Sequence, residues 1–105
     1  MSHENEEIIK SLTKEISENF AVSEIYLVSQ KLNVKGKLTS FKICVIISDN
    51  DSKSETETLI MTEVDCEIPF EVIAYKQSEW ERYSKDNTSF AGKILKEGTN
   101  LREQS

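Results

Sequence analysis

The chain has 105 residues, a formal charge of −6, and 37% hydrophobic against 30% charged residues. That size suits one small domain spanning 1–105 and leaves no room for two, while the acidic balance disfavours general nucleic-acid binding, which draws on clustered Lys and Arg. No segment approaches an apolar membrane span, and the polar, acidic start Met1-Ser2-His3-Glu4 is the opposite of a secretory signal, so a cytoplasmic protein with no membrane association is expected.

Across residues 4–20, Ile8, Ile9, Leu12, Ile16 and Phe20 recur at helical spacing with Glu and Lys between them, which predicts an amphipathic helix. Residues 1–4 and 103–105 are expected to fray. Residues 23–29 supply Ile25, Tyr26, Leu27 and Val28, a short β-favouring run. Residues 41–48 supply Ile43, Cys44, Val45, Ile46 and Ile47, whose unbroken apolarity predicts a strand buried on both faces. Between and beside these runs, residues 31–42 hold Lys31, Lys35, Lys37 and Lys42 with no acid, so this stretch carries +4 and the other residues together −10.

After the turn-and-cap cluster Ser48-Asp49-Asn50-Asp51, a helix is expected over residues 52–64 on Leu59, Ile60, Met61 and Val64, although its threonines lower the helical propensity. Pro69 opens a strand over residues 70–75, a position where a missing N–H is tolerated. Ser78 with Glu81 reads as a capping box for a helix carrying Trp80 and Tyr83 on one face. A further helix begins near Thr88 or Ser89, carries Phe90, Ile94 and Leu95, and ends at Gly98, where a left-handed residue is easily accommodated. A short last strand is expected around Leu101. Strands interleaved with helices in this order predict an α/β domain in which helices pack against a mixed sheet of three or more strands.

Cys44 and Cys66 lie in or beside apolar segments and read as reduced packing residues, and His3, the single histidine, brings no second ligand at a zinc spacing. No metal site of His and Cys is expected.

The order of elements, the strand Ile25-Tyr26-Leu27-Val28-Ser29, the strand ending Val45-Ile46-Ile47, the strand Pro69-Phe70-Glu71-Val72-Ile73-Ala74-Tyr75, and the ending Ser89-Phe90-Ala91-Gly92-Lys93-Ile94-Leu95-Lys96-Glu97-Gly98 together resemble the minimal nucleotidyltransferases of the polymerase-beta-like superfamily. The resemblance runs from about residue 18 to 102. It implies a small nucleotidyltransferase-like domain in which the first strand ends in Gly-Ser for the nucleotide phosphates. The second strand would then begin with two carboxylates one residue apart, and the next strand would supply a third. Such acids hold two Mg²⁺ ions, because hard divalent cations demand anionic oxygen ligands.

This chain departs from that pattern where the chemistry lies. The Gly-Ser position reads Val28-Ser29, and the carboxylate pair falls on Ser40 and Lys42, or on Phe41 and Ile43 in the neighbouring frame. Glu71 alone stands where the third acid is expected, with Asp65 and Glu67 as poorer matches. Asp49, Asn50 and Asp51 lie beyond the far end of the second strand, about 20 Å away at the usual rise per residue.

The resemblance and its gaps imply a catalytically inactive relative, a pseudoenzyme without Mg²⁺ or other cofactor, that serves as a binding or protein-interaction module. Its partner would be a second copy, forming a homodimer through a strand edge or helix face, or a small helical protein. One alternative is metal-independent binding of a nucleotide, phosphate or RNA end through Ser29, Lys31, Lys35, Lys37 and Lys42. Another is residual nucleotidyl transfer using Glu71 and an acid from a partner. The plainer interpretation makes the lysines a solvated loop and Glu71 an ordinary polar strand position, and a Lys42–Glu71 ion pair would reconcile the two views. Trp80, Tyr83 and Phe90 fit core or partner contacts better than a base-stacking platform.

Overall fold

A computed structural model of the chain describes residues 3–102, and the elements follow in the order α1 (His3–Asn19), β1 (Val22–Leu32), β2 (Leu38–Ile47), α2 (Lys53–Glu63), β3 (Phe70–Lys76), α3 (Gln77–Tyr83), α4 (Phe90–Glu97) and β4 (Thr99–Asn100). α1 starts at His3 with Glu4 and Glu6 in its first turn, where acids complement the helix dipole. The remaining residues of the expected frayed ends, 1–2 and 103–105, lie outside the described residues.

The strands form one four-stranded sheet in the order β3-β2-β1-β4. The β1–β2 and β1–β4 pairs are antiparallel and the β2–β3 pair is parallel, with α2 making the crossover, so the α/β class and the mixed sheet stand as expected.

The unbroken apolar run of β2 is explained by its central place. Phe41, Ile43, Val45 and Ile47 join Ile9, Leu12 and Ile16 of α1 and Ile60 of α2 in one core layer. Cys44 and Ile46 project the other way, into a smaller cluster with Tyr26, Trp80 of α3, and Ala91 and Ile94 of α4. The first helix therefore packs on its own sheet. Trp80 lies 5.1 Å from Tyr26 and 5.6 Å from Tyr75 between ring centroids, so it belongs to the core, whereas Tyr83 and Phe90 are exposed.

Several local expectations change. The lysine-bearing segment is mostly strand, because β1 runs on to Leu32 and β2 returns from Leu38, leaving only a tight turn. In that turn the Asn33 side chain accepts from the N–H groups of Lys35 and Lys37, at 2.8 and 3.0 Å, and Gly36 adopts φ +80°, which a side chain would strain.

The capping box at Ser78 and Glu81 is also displaced. The N-cap of α3 is Lys76, whose side chain has no acceptor, so Glu79 reaches back to the Lys76 N–H at 3.0 Å while Asp49, from beyond β2, accepts from the Ser78 N–H at 2.9 Å.

At the end of α4, Gly98 has φ −75° rather than a left-handed value. A glycine is required there for space, since a Cβ would stand 2.6 Å from the Ile94 carbonyl oxygen and 3.0 Å from that of Leu27. The last strand precedes Leu101 slightly, and the Leu101 N–H extends its pairing to the Ile25 carbonyl at 2.8 Å.

Candidate functional site

Cross-strand register brings Ser29, Lys42 and Glu71 into one row across β1, β2 and β3. A register shift at Val28 makes this possible: Leu27 pairs with Ile43, yet Ser29 pairs with Lys42, so one extra residue of β1 is absorbed between them. Lys31 pairs with Ser40 one step further along. The strand alternation sets Lys42 and Glu71 on the face of Cys44 and Ile46, where α3 and α4 cover only the half of the sheet away from the hairpin turn. Lys42 is half-buried, and Ser29, Lys31 and Glu71 are exposed.

Within the row, Lys42 Nζ stands 3.4 Å from Glu71 Oε2, with the two side chains 35% and 72% exposed. Water screens such a pair, which contributes about 0–1 kcal/mol. Its chemical consequence is larger than its energy: the one carboxylate in the row faces an ammonium, a combination that does not fit a pair of Mg²⁺ ions. Asp65 and Glu67 border a hollow of about 340 Å³ with Ile8, Ser11 and Leu12 of α1, and so belong to the opposite side of the sheet. Among the described residues, no group of three or more His, Cys, Asp or Glu could hold a metal ion.

The five residues expected to hold an anion are thus divided. Ser29, Lys31 and Lys42 share the open sheet face, while Lys35 and Lys37 lie in the turn, Lys37 about 17 Å from Lys42 along β2 at the usual strand rise but only a few residues beyond Lys31. Lys31, Lys35 and Lys37 enter no ion pair among the described residues.

The carboxylates next to the far end of β2 hold structure together. Asp49 lies below its usual pKa, chiefly because of hydrogen bonds from Ser78. Glu79 is lowered too, first by the Lys76 N–H and then by Lys53, whose Nζ is 3.0 Å from Glu79 Oε2. Burial pushes the Cys44 thiol up to about 12, with Glu24 and Glu57 adding to the rise, and burial also raises Cys66. Both cysteines are free, and neither has a depressed pKa that would make it a nucleophile.

Two features are not evident in the linear pattern. A groove of about 790 Å³ separates α1 from the β1–β4 side of the sheet, with Ile9, Leu27 and Leu101 among its apolar lining and Lys10, Lys14 and Arg102 among its charged residues. Asn5, only 2% exposed, fastens α1 to the hairpin: its Nδ2 donates to the Gly36 carbonyl at 2.9 Å and its Oδ1 accepts from the Leu38 N–H at 3.1 Å. Its place four residues before Ile9 was the available signal, a polar residue in line with the apolar stripe. No family model, curated protein or solved structure matches the chain.

Proposed function

We propose that this domain works by binding another protein and has no nucleotidyl-transfer chemistry of its own. The observation that carries this is the Ser29–Lys42–Glu71 row, in which a lysine stands beside the single acid where the resembling family gathers carboxylates around Mg²⁺. Ammonium in that position repels a divalent cation and compensates Glu71 instead. The division of the lysines between sheet face and turn also disfavours a single phosphate cradle, and Glu71 within the row opposes an anion there.

A thermal-shift titration with ATP, GTP, CTP and UTP, each with and without Mg²⁺, tests the proposal, because a ligand of the native state raises its apparent stability. No shift is expected with any nucleotide. A Mg²⁺-dependent shift abolished by Glu71→Ala would replace this proposal with residual transfer chemistry. A metal-free shift abolished by Lys42→Ala would replace it with anion binding.

A further inference from the structure

We propose that the outer edge of β1, over residues 28–32, accepts an extended acidic segment of a partner protein as an added strand, an inference that rests on the interaction-module function above. β1 has 11 residues, but β4 pairs only with Tyr26 and Leu27, and the Leu101 N–H adds one bond to Ile25. Among the described residues no strand pairs with residues 28–32 on the side away from β2. Ser29, Gln30, Lys31 and Leu32 are all exposed, so this backbone edge meets water. A strand edge in that condition is a template for main-chain hydrogen bonds from an extended peptide.

Charge selects the occupant. Residues 31–42 carry +4 with no acid, and Lys31, Lys35 and Lys37 are unengaged by any carboxylate among the described residues. Two copies meeting edge to edge would bring these lysines together, whereas an acidic strand neutralises them. The sheet alternation adds a pattern. Lys31 shares the face of Lys42, while Leu32 lies opposite Leu38, which belongs to the core on the α1 side. An incoming strand with acids at alternate positions would present them to the lysines and its apolar residues to the α1 side. Leu32 at 47% and Val34 at 103% exposure leave apolar surface at the hairpin end for such residues to cover.

The probe is a fluorescein-labelled octapeptide of alternating valine and glutamate, titrated with the full chain and read by anisotropy. Binding is expected to weaken with added salt, to fall about tenfold in Lys31→Glu, and to persist in Lys85→Glu, an equal charge change at an exposed residue outside this edge. Methylating alternate backbone nitrogens of the peptide should abolish it, and bound peptide should slow amide exchange in residues 28–32. Far-ultraviolet circular dichroism establishes that both variants fold. No binding of the peptide, equal binding of its N-methylated form, equal binding of a valine–lysine peptide, or a dimer formed through this edge would each overturn the inference. None of these touches the loss of transfer chemistry, which the Mg²⁺-dependent nucleotide titration tests separately.

Discussion

The two edges of the sheet are finished in opposite ways. Along β3, side chains from neighbouring helices occupy outward N–H groups: Glu57 of α2 accepts from Ala74 at 2.8 Å, and Glu79 of α3 accepts from Lys76 at 3.0 Å. Along β1, the chain's own β4 and Arg102 cover the first half, the Arg102 guanidinium donating to the Val22 carbonyl at 2.6 Å, and the second half carries Lys31 and is exposed from Ser29 to Leu32. Carboxylate caps at Ala74 and Lys76 use up two donors of the edge, so they oppose an added strand there whatever its charge. Lysines close an edge only to partners that carry the same charge. The difference is that two donors of the β3 edge are engaged by the chain's own carboxylates, whereas the β1 edge over residues 28–32 has no strand beside it among the described residues.

The comparison breaks most severely at Asn5. Asn5→Ala leaves the Gly36 carbonyl and the Leu38 N–H without their partner, and a loss of about 2–4 kcal/mol in urea unfolding is expected, with faster amide exchange through the hairpin. Retention of wild-type stability would mean that the hairpin is held elsewhere.

Gly98→Ala attacks the covered half of the β1 edge. The new Cβ would press on two backbone carbonyls, and about 1–3 kcal/mol of destabilisation is expected, together with increased amide exchange at residues 25–27 as β4 loosens. Unchanged exchange there would contradict a role for Gly98 in seating β4.

Glu57→Ala opens the β3 edge. A loss of about 1 kcal/mol is expected with concentration-dependent self-association in sedimentation, while Glu57→Gln, which keeps an acceptor oxygen, should remain monodisperse. Association of both variants alike would remove the hydrogen bond as the cause.

Acid sharpens the comparison at the carboxylate-capped end. Asp49 and Glu79 have folded-state pKa values below their unfolded ones, so their contribution is present above the unfolded values near about pH 4 and is lost as pH falls through the folded ones. Thermal melts of Asp49→Asn/Glu79→Gln should therefore show a flatter decline below about pH 4 than wild type. An unaltered acid limb would assign it to other groups. The smallest effect is expected at the open face, where Lys42→Met should change stability by no more than about 1 kcal/mol, since the pair it breaks is screened by water. A loss several times larger would show that Lys42 supports the sheet in some further way.

Much of the fold was legible because burial imposes periodicity on a chain. The helical stripe Ile9, Leu12 and Ile16 and the unbroken run from Ile43 to Ile47 each announced their element, and Ser52 and Ser89 stand at the helix N-caps, accepting from the N–H groups of Glu55 and Gly92. The caps of α3 were less legible, because Asp49 reaches Ser78 across 29 residues. The candidate site was legible as a set of residue types but not as an arrangement. Nothing local says that a bulge at Val28 sets Ser29 across from Lys42, or that Lys31 and Lys42 lie within strands while Lys35 and Lys37 stay in the connection.

The sequence by itself determined the order of elements, the α/β class, the absence of an acid pair at the start of β2 and the acid-free run of lysines over residues 31–42. Those follow from residue chemistry and periodicity, which are properties of short stretches. Tertiary structure decided the rest: that Lys42 meets Glu71, that Asn5 fastens the hairpin, that β4 pairs with only Tyr26 and Leu27 along the outer side of β1, and that two glutamates cap N–H groups of the opposite edge. Each depends on strand register and on which helix end lies beside which strand, and these are fixed only when distant segments pack together.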